Sequence, residues 1–353
     1  MERLVNYLRR AVELGGSDLF LIPGAPVTAK AKGKLIHLSD SGMDPASVRT
    51  LIEEAYASAK RGMHKIEEEG DDDFSFSIHD LSRIRCNVYR QRGTLAATCR
   101  IVTFGLPDPK VLNIPEAVLQ LSQRRSGLIL VTGPAGSGKS TTLACLIDRI
   151  NTTRADHIVT IEDPIEYLHP HKMSLVSQRE VPGDAPTFAR AVRAALRQNP
   201  DVIMLGEMRD TETIHAAITA AETGQLVLSS LHTIGAAKSI DRIIDAFPAE
   251  QQQQIRAQLS MALSAVVSQR LVPTRQGGLI PAFEIMSTTP AIRTMIRDGR
   301  IYQIDTALSA SGQNALRLDE ELVRLCTAGI IDKQTAELYS VAPESIKTRL
   351  ILR

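Results

Sequence analysis

The chain is poor in cysteine, in long apolar runs and in excess charge of either sign. It holds four cysteines, Cys86, Cys99, Cys145 and Cys326, and no two of them form a C-x-x-C pair. Neither a zinc knuckle nor a dithiol redox motif is visible, and scattered single thiols fit a reducing compartment. No apolar run approaches the ~20 residues that span a bilayer. The opening MERLVNYLRRAVELGGSD puts charges throughout what would have to be the apolar region of a signal peptide. Lys plus Arg number 41 and Asp plus Glu 40, a net charge of +1. A protein whose main task is gripping DNA or RNA normally carries a strong basic excess, so no nucleic-acid partner is expected. There is no internal repeat and no low-complexity tract. These absences point to a cytoplasmic protein that meets a membrane only through a partner.

The 353 residues exceed one ordinary core, and 43% hydrophobic with 23% charged residues fits a soluble globular chain. Residues 2–14 carry Leu4, Val5, Leu8, Ala11 and Val12 at helical spacing until Gly15-Gly16 stops the pattern. Residues 18–38 read as short strands, and 45–69 as helical. The acidic run EEEGDDD, in which that segment ends, reads as a solvated face or loop. SRIRCNVYR (82–90) and TLAATCRIV (94–102) flank QRG as a hairpin. Period two puts Arg83, Arg85 and Arg100 on the face opposite Ile84, Cys86 and Cys99. We read 1–105 as a small α+β domain, 106–115 as a proline-rich linker and 116–353 as a second domain. In the latter the apolar strands SGLILVTG, HIVTIED, DVIMLGE and QLVLSSLH alternate with helices. Strands this apolar belong to a parallel sheet covered on both faces, hence an α/β fold. A further hairpin, RLVPTRQGGLIPAFEI, precedes a mostly helical extension from about residue 288.

GPAGSGKST (133–141) fits G-x-x-x-x-G-K-[ST] and stands between a strand and a helix, as the phosphate-binding loop requires. Gly133, Pro134, Ala135, Gly136, Ser137 and Gly138 would cradle the phosphates of ATP with backbone N–H groups, aided by the helix start that Thr141 joins. Lys139 would reach the β- and γ-phosphates and Ser140 would ligate Mg²⁺. Ligands sit at the carboxyl ends of strands in such sheets. Three further strand ends supply Glu162, Asp163 and Glu166; Glu207; and His232. Several polar endings beside a sound phosphate loop favour hydrolysis over a mere nucleotide switch.

The ordered strings GPAGSGKST, EDPIEY, GEMRD and SSLHT resemble the type II/IV secretion ATPases. GGSDLF, QREV, AAETG, FPAE and PAIRTMIR extend the likeness to nearly the whole chain. The branch most similar is that of the PilT-like ATPases, which power type IV pilus retraction and twitching motility. The resemblance implies a PAS-like front domain, a RecA-like P-loop ATPase domain and a hexameric ring acting on an inner-membrane pilus platform protein, and through it on the pilin filament. It implies Glu166 as general base, and Glu207 acting on Mg²⁺ through water. Glu162 and Asp163 become positioning groups, and His232 a sensor of the γ-phosphate. Arg85, Arg92 and Arg100 match positions that reach the nucleotide from the front domain, with Arg85 and Arg100 completing the site. The four-cysteine zinc insertion of extension and secretion ATPases is missing, which favours retraction and implies no zinc. An assembly or secretion ATPase, or a nucleotide-gated scaffold or accessory paralogue with little hydrolysis, are the alternatives. The helix PAIRTMIRDG matches the retraction branch's AIRNLIR-like helix and implies a role separable from hydrolysis. Gln225 and Phe20 stand where the family has histidines, and SGQNALRLDEEL (311–322) departs from its GMQTLD-like stretch.

Overall fold

The computed structural model describes residues 2–102, 105–310 and 316–351, so residues 311–315 of the divergent SGQNA stretch lie outside it. The chain forms two compact units. One comprises Met1–Gly105 with Pro164–His169, the other Leu106–Asp163 with Pro170–Arg353.

The first unit is a six-stranded antiparallel sheet covered by helices on one face. Its strands are β1 (Gly16–Leu21), β2 (Thr28–Ala31), β3 (Lys34–His37), β4 (Asp71–Ile78), β5 (Ser82–Gln91) and β6 (Thr94–Val102), in spatial order β3-β2-β1-β6-β5-β4. The helices are α1 (Glu2–Glu13), α2 (Pro45–Ser58) and α3 (His64–Glu69). Asp44 starts α2 by accepting the Ser47 N–H at 2.9 Å, with Pro45 in the first turn. Alternation sorts β5 as expected: Ile84, Cys86 and Val88 are buried in the core with Leu4, Leu8, Leu51 and Phe74, while Arg83, Arg85 and Asn87 take the other face.

The acidic run departs from the sequence reading. Glu67–Glu69 end α3, but Asp71–Asp73 open β4, and period two turns Asp72 inward. Asp72 is fully buried, accepting from Tyr56 Oη at 3.1 Å and Arg61 at 3.2 Å, with Lys65 Nζ 3.5 Å away. A charge in that position persists only because cations and a hydroxyl meet it there.

The second unit is a seven-stranded sheet. After α4 (Glu116–Leu119) and a short 3₁₀ turn come β7 (Gly127–Thr132), α5 (Lys139–Thr153), β8 (His157–Glu162), β9 (Leu175–Glu180) and α6 (Phe188–Ala195). Then follow β10 (Val202–Leu205), α7 (Thr211–Glu222), β11 (Leu226–Leu231), α8 (Ala236–Asp245), α9 (Ala249–Ala262), β12 (Leu263–Pro273) and β13 (Leu279–Ser287). The order is β13-β12-β7-β11-β10-β8-β9, parallel except for the β12–β13 hairpin. On β7, Leu128 and Leu130 enter the core beneath α6, α7, α8 and α9, while Ile129 and Val131 enter the core beneath α5. Two buried faces explain why the strand is apolar at every position. The fold is thus a RecA-like α/β domain joined to a small α+β domain.

Three features were not read from the sequence. β9 is an edge strand whose LVSQRE shows no clean period. β12 begins earlier than the hairpin motif and pairs with the phosphate-loop strand itself. The proline-rich stretch 106–115 belongs to the second unit, with Ile114 in its core.

The chain ends in α10 (Pro290–Arg297), α11 (Ile304–Ala310), α12 (Leu318–Thr327), α13 (Lys333–Tyr339) and α14 (Pro343–Ile351). Ile292 and Ile296 of α10 are core residues at 1% and 0% exposure, whereas Arg293 and Arg297 are exposed. A change at Ile292 therefore strikes packing first, and only the arginine face can carry a separable role. No described helix is long and apolar enough to cross a membrane.

Candidate active site

Four parallel strands, β7, β8, β10 and β11, end on one edge of the sheet, and the site is built there. The loop after β7 runs against β12. A Cβ on Gly133 (φ +151°) would lie 2.2 Å from the Gln269 carbonyl oxygen, and one on Gly138 (φ +87°) 2.9 Å from Gln269 Nε2. Only glycine fits such an approach at those angles. Gln269 is itself buried, and its Oε1 accepts from Thr142 Oγ1 of α5 at 2.7 Å. It is a supporting residue the motif did not reveal; its one signal was an amide amid the apolar run SAVVSQRLV.

The loop's chemistry fits a polyphosphate. Ser137 Oγ is buried and makes no hydrogen bond among the described residues. Lys139, at 7% exposure, donates to the carbonyl oxygens of Gly133 (3.0 Å) and Pro134 (2.9 Å). Its ammonium thus stands over the loop, where charge-assisted hydrogen bonds to a polyphosphate can form. Ser140 and Thr141, half-buried, occupy the first turn of α5, whose leading N–H groups have no helical acceptor of their own.

The phosphate loop and two strand ends meet in one polar chain. Lys139 Nζ lies 3.4 Å from His232 Nδ1. His232 Nε2 lies 3.4 Å from Glu207 Oε2, and the other Glu207 oxygen pairs with Arg209. The Nε2–H tautomer serves both contacts, since Nδ1 can then accept from the ammonium while Nε2–H donates to the carboxylate. Glu207 is fixed by its backbone: Gly206 N–H donates to Ile161 O at 2.8 Å, and Ser230 Oγ donates to Gly206 O at 2.6 Å. Glu162 lies buried at the end of β8 and accepts from Thr160 Oγ1 (2.6 Å) and Gln178 Nε2 (3.2 Å), a geometry of support. Asp163 is exposed beside it.

The remaining expected residues lie in the first unit. Glu166 is exposed within Pro164–His169, which belongs to the first unit. Arg85 and Arg100 are cross-strand neighbours on the open sheet face. Arg85 is held by Asp73 through Nε (3.2 Å) and Nη2 (2.9 Å), and Arg100 Nε by Asp18 at 3.1 Å. Arg92 sits exposed in the β5–β6 turn with φ +47°. Gln225 precedes β11 and accepts from Thr223 Oγ1 at 2.8 Å, whereas His232 follows that strand. The two positions are about 23 Å apart at ~3.3 Å per residue, so the glutamine leaves the phosphate end untouched.

A glycine loop backed by an amide, a buried lysine, and a histidine–glutamate pair on adjoining strand ends define a P-loop ATPase. A family model described as Type II/IV secretion system protein matches residues 90–306. The chain is 40% identical to the type IV pilus retraction ATPase PilT of Pseudomonas aeruginosa, over 97% of this chain and 99% of that one. It is 34% identical to the type IV pilus ATPase PilU of the same organism, over 98% and 90%. A crystal structure of the pilus retraction motor PilT with bound ADP superposes with a TM-score of 0.88 at 43% identity, covering 98% of each chain. The protein belongs to the type II/IV secretion system ATPase family.

Proposed function

We propose that the protein is the ATP-driven motor that retracts a type IV pilus and so supports twitching motility. The observation that carries this reading is a likeness to PilT along the full length of both chains, with the lysine, glutamate and histidine of the site all present and in contact. Lys139 takes the β- and γ-phosphates in place of the loop carbonyls it now touches. Ser140 and Glu207 would hold Mg²⁺, Glu207 through water, and the ion would supply positive charge to offset that of the phosphates. Glu166 serves as general base, and Glu162 and Asp163 position the metal side. Arg85 and Arg100 supply positive charge to the γ-phosphate, with Arg92 at its margin. ATP then favours a closed arrangement that product loss releases. Head-to-tail contacts between copies close into a hexameric ring. The ring works peripherally, on the cytoplasmic face of the inner membrane, against a pilus platform protein, and pulls the pilin filament indirectly.

A strain deleted for this gene tests the reading. It should carry surface pili in excess and fail to twitch, and complementation should reverse both. A strain without pili would identify an assembly motor instead.

A further inference from the structure

His232 opens a short connection, Thr233-Ile234-Gly235, from β11 to α8. It ends on Gly235 (φ +87°, ψ +149°), the residue that precedes α8, and glycine has no side chain with which to cap a helix. The caps come from the β12–β13 hairpin. Ser268 Oγ accepts the Gly235 N–H at 3.0 Å, and Glu284 Oε1 accepts the Ala236 N–H at 3.0 Å. Within the connection, Thr233 Oγ1 and Ser239 Oγ stand 2.6 Å apart, and Ser239 Oγ donates to Gly235 O at 2.7 Å. Ser268 and Glu284 face each other across the hairpin register.

Neighbouring residues of a strand point to opposite faces. Ser268 turns toward the His232 connection while Gln269 backs the phosphate loop and α5. One strand therefore braces both walls of the site. The helix start offers Glu284 partial positive charge and a donor, although burial, its main perturbation, pushes its carboxyl pKa up.

We propose that Glu284, with Ser268, is a positioning residue for ATP turnover: by fixing the start of α8, it sets where the His232 ring stands between Lys139 and Glu207. This rests on the reading of His232 as part of the hydrolytic site.

The test measures phosphate release and ADP binding by calorimetry on the full chain. Glu284→Ala should lower kcat about tenfold while the KM for ATP and the affinity for ADP stay within about twofold. Glu284→Gln should stay within about twofold of the parent, because its amide oxygen can still accept the Ala236 N–H. In a His232→Ala background, Glu284→Ala should cost nothing further, since the two would act through one group. An unchanged kcat in Glu284→Ala, equal deficits in the Ala and Gln variants, or additive losses would overturn the inference. If Glu284→Ala does not fold, Ser268→Ala decides: a loss confined to kcat supports the inference and an unchanged kcat overturns it. His232→Ala at full kcat would remove the underlying reading as well. A deficient His232→Ala beside a fully active Glu284→Ala would remove this inference alone.

Discussion

Lys139 and His232 meet at 3.4 Å above the phosphate loop, one from the start of α5 and the other from the end of β11. The lysine donates to two loop carbonyls and stands beside that imidazole. An arriving polyphosphate offers stronger, charge-assisted acceptors. Lys139→Ala should therefore lose ATP turnover by about 10²-fold or more, with ADP affinity reduced. Phosphate release and calorimetry check this. Turnover near that of the parent would remove the lysine from the chemistry.

Arg85 and Arg100 each lie against a carboxylate, Asp73 and Asp18, that orients the guanidinium on the open sheet face. If these groups act on the γ-phosphate, Arg85→Ala and Arg100→Ala should each lower kcat by about 10²–10³-fold in the assembled protein. Arg85→Lys should not restore it, because a lysine cannot reproduce the forked contact. Full turnover in intact assemblies would return both arginines to the role of a charged outer face.

The first unit's stability should depend on Asp72. Removing it leaves the Tyr56 hydroxyl in the core without its acceptor and takes the carboxylate from Arg61 and Lys65. Both cations are more than a third exposed and recover hydration, so the expected cost is about 2–3 kcal/mol. Denaturant unfolding of Asp72→Ala measures it. A loss below ~0.5 kcal/mol would mean the network is incidental.

Glu284 supplies a pH-dependent prediction whose sign follows from burial. Its folded-state pKa is raised, first by desolvation and then by Asp305 and Asp319. A raised carboxyl binds its proton more tightly folded than unfolded, so the stability it contributes is present at low pH. That contribution is lost as pH rises from the ordinary glutamate range through the raised value. Glu284→Gln should thus melt higher than the parent at about pH 8, and the gap should close toward about pH 4. Melting curves at both pH values decide. A gap that widens on acidification would reverse the sign.

What the sequence disclosed was local. The phosphate loop, the carboxylates at strand ends and the arginine-bearing hairpin each lie within a dozen or so residues, where motif and period are sufficient. What it concealed was brought together across the chain. Gln269 supports Thr142 from 127 positions away, and Glu284 caps a helix 48 positions earlier. No local pattern marks a buried acceptor whose donor is so distant. The acidic run misled for another reason: the period of β4, not the charge of the run, decides which aspartate turns inward, and Tyr56, Arg61 and Lys65 on α2, α3 and the turn between them meet it there. At α10 the stripe of Ile292 and Ile296 was visible, but not that the core needed it.

If the protein is the motor, nucleotide chemistry at Lys139 pulls the filament. The direct measurement is time-lapse imaging of fluorescently labelled pili in a strain whose only copy of the protein carries Lys139→Ala. Pili that extend and then remain extended are expected; pili that shorten at the parental rate would rule out a motor driven from Lys139.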